Sequence, residues 1–478
     1  MPKPSTATAA KAADSTEAEA VRTLMARARA AMAAFADASQ ARVDEAVTAL
    51  AWSLYKPEHA RELAESGVRD TGLGNVADKI TKNQRKTFGT LRDLLRVKTV
   101  GVIEEDPARG IVKYAKPVGV VGAITPSTNP AATPVNKTMM AVKGRNAIII
   151  APSPAGWTTT ARAVELMRKE LEKIGLPADL VQVLPAPVNK ALTQALMHAC
   201  DLVVATGSQN NVRSAYSSGT PAIGVGTGNV PVIIDESADL DDAARKICAS
   251  KIFDNSTSCS SENSVVIVDA VYEPAMAALE AVGGYRASAE EKQRIQGALW
   301  VDGKLNRKLI AKDADVFARE VGLGERAAEA KFFMVEDDGV GPEYPFSDEK
   351  LSLVLTIYRA LDFDAAVTRT RDVLNYVGRG HSCGIHTNDL EHARRLAVEL
   401  DVVRVLVNQA HTFGNGGGFD NGLNFTLSMG CGTWGGNSIS ENLNYRHFIN
   451  ITHLVTTIPE DRPTEEQLFG SHWEKYGK

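Results

Sequence analysis

The sequence predicts an α/β protein built from at least two domains, each with a parallel sheet. The chain has 478 residues, 44% of them hydrophobic, and a single core stops growing beyond about 250–300 residues. Short β-branched runs alternate with helical stretches, which is typical of parallel strands covered by helices on both faces. Two such series follow one another, so we expect two α/β domains.

The first series follows a helical N-terminal region. The opening MPKPSTATAAKAADSTEAEA is interpreted as a frayed helix start rather than a docking peptide, and two or three amphipathic helices are expected up to about residue 68. From Gly110 the runs GIVKYAKPVGVVGAI and NAIIIAP predict strands, with a helix around Lys137 to Lys143 between them. The alternation continues with helix TTARAVELMRKELEKIG, strand LVQVLP, helix VNKALTQALMHA and strand LVVATG.

The second series begins with the strand VPVIIDES near Pro231 and the helix DDAARKICASKIF. Next come the strand SVVIVDA and a helical region through Lys308. The series ends with the strands LVLTIYRA, CGIHTND and VVRVLVN, which are separated by the helices DAAVTRTRDVLNYV and LEHARRLAVEL. The glycine-rich stretch after Phe413 has little helix potential, so we expect loops that end in a terminal strand.

Charge and cysteine content exclude several classes of function. The 53 basic and 58 acidic residues give a net charge of -5 without a block of like charge, so neither nucleic acid nor a membrane surface is an expected partner. No signal peptide or spanning segment is expected. The 5 cysteines include no C-x-x-C pair, so we expect no metal site, a cytoplasmic location and small-molecule partners.

Cys259 lies among small polar residues just before a strand, where a loop can expose a nucleophilic sulfur. A thiolate adds to an aldehyde to form a thiohemiacetal, which gives up hydride readily and leaves an enzyme thioester. Cys431, between glycines in MGCGTWGG, is the alternative. From the residues alone both stay open.

The motifs PVGVVGAITPSTNP, ATGSQNNVRSAYSSGTPAIGVGTGNVPVIID, KIFDNSTSCSSEN, EKLSLVLTIYRA and MGCGTWGGNSISENLNYRHFIN resemble, in this order, the CoA-acylating branch of the aldehyde dehydrogenase superfamily. The resemblance implies that Cys259 is the nucleophile and that Cys431 is structural. It also implies an aldehyde dehydrogenase-like fold: a doubly wound cofactor-binding domain over 1–231, a catalytic domain over 232–430, and a closing segment over 431–478. Residues 101–116 and the terminal strand would form a small β oligomerisation arm, so we expect a homodimer or homotetramer.

The acyl acceptor is predicted from a missing carboxylate. Where hydrolytic relatives carry the glutamate that activates water, this sequence reads GVGTGNVP, and Gly224 or Val225 occupies that place. Neither side chain can accept a proton, so we expect coenzyme A to take the acyl group. A hydrolytic dehydrogenase and a non-catalytic scaffold are the alternative hypotheses, separable by product analysis with and without coenzyme A and by thiol labelling.

Two neighbouring side chains are candidates for stabilising the oxygen of the thiohemiacetal, beside the backbone N–H of Cys259. In ITPSTNP, Thr128 aligns with the asparagine of hydrolytic relatives, and Asn129 follows it. We favour Asn129 because it carries an amide N–H pair, with a loop-capping role as the alternative.

Four residues are predicted to bind the nicotinamide cofactor. Gly207 and Ser208 lie between a strand and a helix, where donors meet a pyrophosphate, and the resemblance implies that Glu349 holds the nicotinamide ribose. Ser153 stands in a stretch that lacks the usual ribose-binding carboxylate. NADP is therefore preferred over NAD, although either is allowed.

The substrate is expected to be a short polar or anionic aldehyde, because Ser258 and Ser260 flank the nucleophile and the loop NQAHTFGNGGG is polar. Within its branch the chain most resembles members that act on sulfoacetaldehyde, with acetaldehyde and succinate semialdehyde as alternatives. His411 and Thr412 are the predicted contacts for a sulfonate.

Overall fold

The computed structural model describes residues 16–478; most of the predicted frayed helix start lies outside this range. The described chain opens with a helical layer. Its helices are α1 (Thr16–Phe35), α2 (Gln40–Tyr55), α3 (Pro57–Thr71) and α4 (Val76–Leu95). Ser39 and Asn75 cap α2 and α4 by accepting hydrogen bonds from the backbone N–H three residues on.

An antiparallel pair follows, made of β1 (Gly101–Asp106) and β2 (Ile111–Pro117). The turn between them depends on Gly110, which has a φ of 62°. A Cβ there would lie 2.6 Å from the carbonyl oxygen of Thr456, so the close approach of the C-terminal segment requires glycine.

The first parallel sheet has five strands in the order β5-β4-β3-β6-β7. The elements are β3 (Val120–Thr125), α5 (Ala132–Lys143), β4 (Ala147–Pro152), α6 (Trp157–Lys173), β5 (Val181–Val183), α7 (Lys190–Ala199), β6 (Leu202–Thr206), α8 (Gln209–Tyr216) and β7 (Ala222–Val225). Strands β3 and β4 are buried on both faces, which explains their continuous apolar runs. The chain order reverses at β3, so the loops after β3, β4 and β6 meet at one crevice.

The second parallel sheet has seven strands in the order β10-β13-β14-β9-β8-β15-β16. Its region comprises β8 (Val230–Ile234), α9 (Leu240–Ile252), β9 (Glu262–Val268), α10 (Tyr272–Ala281), β10 (Gly284–Arg286), α11 (Ala289–Leu299), β11 (Trp300–Val301), β12 (Lys304–Leu305), α12 (Ala314–Val321), α13 (Glu325–Ala328), β13 (Phe332–Glu336), β14 (Val354–Ala360), α14 (Phe363–Tyr376), β15 (Cys383–His386), α15 (Leu390–Glu399), β16 (Val405–Val407) and α16 (His411–Gly414).

Part of this sheet lies where the sequence predicts only helix. β10 is an edge strand of 3 residues, too short to display the alternation of a strand. It pairs with β13, and Gly283, with a φ of 108°, ends the preceding helix.

The closing segment returns to the antiparallel pair. β17 (Ile449–Val455) pairs with β2 and completes a three-stranded sheet, while α17 (Glu465–Tyr476), which the sequence reading did not predict, has no buried residue. Among the described helices, none has the length and hydropathy needed to cross a membrane. The assignment of residue ranges to separate domains stays a prediction.

Candidate active site

A buried carboxylate fixes the turn before β9 to helix α4. Asp254 accepts hydrogen bonds from Lys79 Nζ at 3.0 Å, from Lys82 Nζ and from Thr257 Oγ1 at 2.6 Å. Burial alone would raise the pKa of Asp254, but the two lysines hold it below its ordinary value. The φ of 50° at Asp254 lies in the left-handed region, a strain these contacts offset. The loop that carries Cys259 is thereby held against α4.

Cys259 is partly exposed, whereas the other four cysteines are buried. Its neighbours Ser258 and Ser260 line a narrow cavity of ≈ 30 Å³. A Cβ on Gly228 would lie 2.1 Å from the carbonyl oxygen of Cys259, so the glycine loop after β7 lies directly against this residue. Access is what a nucleophilic thiol requires.

The thiol of Cys259 is held in its protonated form. Burial, with a smaller contribution from the carboxylate of Glu349, raises its pKa to about 12 against the opposing effect of the Arg404 guanidinium. Arg404 is fixed by hydrogen bonds to the carbonyl oxygens of His381 at 2.8 Å and Gly430 at 2.9 Å. Nucleophilic attack therefore needs removal of the proton or additional positive charge beside the sulfur.

Helix α4 also orients the predicted oxyanion donor. Lys82 Nζ donates to Asn129 Oδ1 at 3.0 Å, and because an ammonium group is only a donor, the amide of Asn129 must turn its oxygen toward Lys82 and its Nδ2 away. Asn129 lines the same cavity as Ser258. Thr128 instead offers its carbonyl to Lys79 and its hydroxyl oxygen to Asn129. Of the two candidates, Asn129 faces the cavity.

The rest of the cavity wall is cationic and aromatic. Lys82, Arg85 and Lys86 enter it from α4, and Phe253 and Phe413 contribute rings. Gly416, Thr426, Leu427 and Met429 complete the lining together with Thr412.

Of the two predicted sulfonate contacts, His411 and Thr412, only one lines the narrow cavity. Thr412 lines the cavity and its backbone N–H donates to Ser250 Oγ at 2.8 Å. His411 lies outside that lining; its backbone N–H donates to Glu262 Oε1 at 3.1 Å and its Nδ1 contacts the carbonyl oxygen of Ser260 at 3.0 Å. Burial lowers the pKa of His411 to about 4, so its imidazole is neutral and offers no charge to an anion.

A second, wider cavity of ≈ 690 Å³ opens at the carboxyl ends of β3 and β4. Ser153 lines it, and its Oγ is buried without a hydrogen-bond partner among the described residues. Lys190 and Arg213 are the charged side chains of the wall. The unpaired hydroxyl of Ser153 lies in a cleft whose wall carries no carboxylate. Such a site favours a ligand with phosphate and hydroxyl groups, such as the adenosine half of a nucleotide.

The glycine–serine turn before α8 lies next to this cleft. Gly207 has a φ of 142°, which favours glycine. Ser208 caps α8, accepting a hydrogen bond from the backbone N–H of Asn211 at 3.4 Å, and Asn211 lines the cleft. The helix N-terminus therefore points its free N–H groups toward the wide cavity.

Glu349 lies at the Cys259 end of the site. Burial, with a smaller contribution from Asp348, raises the pKa of Glu349 to about 8 against the opposing charges of Lys350 and Lys251. The four predicted cofactor residues therefore form two groups, with Glu349 near the sulfur and the others at the wide cleft.

Cys431, the alternative nucleophile, is 1% exposed. Its backbone N–H donates to Asn437 Oδ1 at 2.9 Å, and a Cβ on Gly435 would lie 2.4 Å from the Cβ of Cys431. Burial raises the pKa of the Cys431 thiol. These contacts favour a packing role for Cys431.

The cationic residues of α4 were missed by the sequence reading. Lys79, Lys82 and Lys86 recur at positions i, i+3 and i+7, which places them on one face of a helix. That face packs toward the interior. The sequence signal for these residues was a row of lysines at the spacing that apolar core residues usually occupy in a helix.

Comparisons with known proteins agree with this geometry. The family model described as the aldehyde dehydrogenase family matches residues 2–300. A sulfoacetaldehyde dehydrogenase (acylating) from Cupriavidus necator is 56% identical over 96% of this chain and 94% of its own length. The chain belongs to the acylating branch of the aldehyde dehydrogenase family.

Further members of this family support the assignment. A sulfoacetaldehyde dehydrogenase (acylating) from Bilophila wadsworthia is 45% identical over 94% of this chain and 98% of its own length. The crystal structure of an acetylating aldehyde dehydrogenase from Geobacillus thermoglucosidasius superposes with a TM-score of 0.90 at 36% identity, covering 94% of this chain and 98% of that one. The predicted fold class is thus confirmed.

Proposed function

We propose that this enzyme reversibly oxidises sulfoacetaldehyde to sulfoacetyl-CoA with a nicotinamide cofactor, through a thioester on Cys259. The observation that carries the chemistry is the position of the accessible Cys259 beside a narrow cavity that also holds the oriented amide of Asn129. The substrate follows from relatives 56% and 45% identical that are acylating sulfoacetaldehyde dehydrogenases.

The reaction begins when the sulfur of Cys259 attacks the aldehyde carbon; the thiol proton passes to solvent and the aldehyde oxygen takes the negative charge. Asn129 Nδ2 donates to the oxygen on which negative charge develops, because Lys82 holds the amide in that orientation. The bound nicotinamide supplies a hydride acceptor. Loss of hydride leaves the acyl group on Cys259 as a thioester, and attack by the thiol of coenzyme A releases the acyl-CoA and returns the sulfur.

Hydrolysis of the thioester is disfavoured because Gly224 or Val225 occupies the place where hydrolytic relatives carry the water-activating glutamate. Gly224 lies within β7 with its backbone bonded to the hydroxyl of Tyr216, and Val225 is 3% exposed. The backbone of Gly228 covers the carbonyl of Cys259. None of these residues carries a group that could deprotonate water.

The nicotinamide cofactor would occupy the wide cleft and reach Cys259 with its reactive end. Ser153 Oγ is free to bond the adenosine ribose, Gly207 and Ser208 would meet the pyrophosphate, and Glu349 would bind the nicotinamide ribose. The cleft wall includes Lys190 and no carboxylate, which favours the additional phosphate of NADP.

The proposal also includes a reducing, cytoplasmic location and assembly into a homo-oligomer. The cysteines are all free thiols, as a cytoplasmic enzyme allows. Strand β17 leaves its outer residues exposed on the three-stranded arm, and such an edge favours pairing with a second copy.

The proposal is tested by a panel of short aldehydes assayed with coenzyme A and with each nicotinamide cofactor. Sulfoacetaldehyde should give the highest kcat/KM, above succinate semialdehyde and acetaldehyde, with sulfoacetyl-CoA as product and NADP preferred. A higher kcat/KM for either competing aldehyde would overturn the substrate assignment.

A further inference from the structure

We propose that Arg85 and Lys86 form the subsite that binds the sulfonate group and makes the enzyme specific for a short anionic aldehyde. This inference rests on the proposed function and names the residues that select its substrate. Both side chains line the narrow cavity beside the serines that flank Cys259.

The charges of the α4 cations are compensated to different degrees. Lys82 is paired with Asp254 and also bonds Asn129 and Thr257. Among the described residues, neither Arg85 nor Lys86 has an ion-pair partner within 4.0 Å, and the carboxylate of Asp420 acts on Arg85 only at longer range. The cavity therefore carries positive charge that its own wall does not neutralise.

Arg85 is held in place by aromatic rings rather than by carboxylates. Its guanidinium lies 5.5 Å from the ring centroid of Phe413, 5.1 Å from that of Phe419 and 5.7 Å from that of Phe425. Its Nε is buried without a hydrogen-bond partner among the described residues. The rings stabilise the cation through their faces and leave its N–H donors available to a ligand.

Lys86 has one protein acceptor, the carbonyl oxygen of Gly416, at 2.7 Å from Nζ. An ammonium group has three donors, so two are left for a ligand. Burial, together with the neighbouring cations Arg85 and Lys82, lowers the pKa of Lys86 to about 7, and negative charge on Cys259 opposes this shift. A bound anion would relieve this repulsion and keep Lys86 charged.

A sulfonate fits these donors by charge and by shape. It stays ionised throughout the neutral range and presents three oxygens, so a guanidinium and an ammonium can bond it from two directions. The volume of ≈ 30 Å³ restricts the cavity to a short molecule. Because Lys82 of the same helix orients Asn129, α4 places the anion site and the oxyanion donor in one rigid frame.

Substitution of the two cations should impair binding of the anionic aldehyde selectively. In Arg85→Gln and Lys86→Met, the KM for sulfoacetaldehyde should rise about 10- to 100-fold, while kcat/KM for propionaldehyde should change less than about 3-fold. Arg96→Gln is a matched control, because Arg96 is an exposed cation at the end of the same helix, and it should leave both substrates unaffected. Equal losses for both aldehydes in the two cavity variants would overturn the subsite.

An assay of anion binding that does not depend on catalytic turnover tests this inference separately from the proposed function. Methanesulfonate should slow the alkylation of Cys259 by iodoacetamide in the wild-type enzyme, followed by mass spectrometry, and the protection should disappear in Arg85→Gln and Lys86→Met. If the aldehyde panel fails but protection is observed, the anion site stands and the substrate is another short anion. If the panel succeeds and methanesulfonate protects the variants as well as the wild type, the subsite is wrong.

Discussion

The wide cleft and the narrow cavity differ in size, charge and origin. The wide cleft, ≈ 690 Å³, is walled by the ends of β3 and β4 and by helices α7 and α8, and its polar groups are mostly uncharged. The narrow cavity, ≈ 30 Å³, is walled by helix α4, by the turn before β9 and by the glycine-rich stretch after Phe413, and it concentrates cations and aromatic rings. Under the proposed function, the wide cleft would hold the nucleotide and the narrow cavity would select the aldehyde.

The largest expected effect comes from the nucleophile, whose neighbours Ser258 and Ser260 line the narrow cavity. Cys259→Ala should lower CoA-dependent cofactor reduction by about 10³-fold or more, because it removes the covalent step, while dinucleotide affinity measured by fluorescence titration stays at the wild-type value. Cys431→Ala is the matched control: it should keep the activity and at most lower the melting temperature. An essential Cys431 with a dispensable Cys259 would reverse the assignment of the nucleophile.

A second substitution tests the oxyanion donor on the aldehyde side. Asn129→Ala should lower kcat by about 10²–10³-fold, with little change in the KM of the cofactor. Lys82→Met should lower kcat less, since it releases the orientation of the amide but leaves the amide in place. Steady-state kinetics of Thr128→Ala provide the comparison, and a larger kcat loss there than in Asn129→Ala would make Thr128 the donor.

The charge of the narrow cavity predicts a pH dependence that the wide cleft lacks. The pKa of Lys86 is lowered to about 7 by burial, with Arg85 and Lys82 adding to the shift, so its positive charge is present below that pH and lost as the pH rises through it. The KM for sulfoacetaldehyde should therefore increase above neutral pH, and the KM for propionaldehyde should not. The carbonyl of Gly416 also faces Lys86, and it does not titrate. A parallel rise for both aldehydes would contradict this origin.

The smallest effect is expected in the wide cleft. Ser153→Ala removes one neutral hydrogen-bond donor, so the KM of the cofactor should rise about 2- to 10-fold with kcat unchanged. The measurement is a cofactor saturation curve at fixed aldehyde and coenzyme A. An altered KM for the aldehyde instead would place Ser153 in the other cavity.

The two cavities also differ in how far the sequence predicts them. Ser153, Gly207 and Ser208 each follow a strand that the α/β alternation predicts, and the carboxyl ends of parallel strands lie at one edge of the sheet, so their position at the same edge was predictable. The narrow cavity joins α4 to distant parts of the chain: Lys86 bonds the carbonyl oxygen of Gly416, 330 positions away, and no local sequence pattern predicts that contact.

The direction in which individual side chains point is the second feature that the sequence did not predict. His411 and Thr412 are adjacent, yet only Thr412 lines the cavity, because Glu262 and Ser250 fix the backbone of the turn. The preference for Asn129 over Thr128 likewise depends on Lys82, which the motif around Asn129 does not contain.

The most direct test of the account withholds coenzyme A. The wild-type enzyme, mixed with sulfoacetaldehyde and oxidised cofactor, should form about one equivalent of reduced cofactor per active site and then stall, since the thioester on Cys259 waits for a thiol. A general base contributes about 10²–10⁴-fold, so hydrolysis should be slower than the CoA-dependent rate by a margin visible in the absorbance of the reduced cofactor. Addition of coenzyme A should restart turnover. Steady turnover to the free acid without coenzyme A, at a comparable rate, would mean that a group such as Glu349 activates water and would contradict the acylating mechanism.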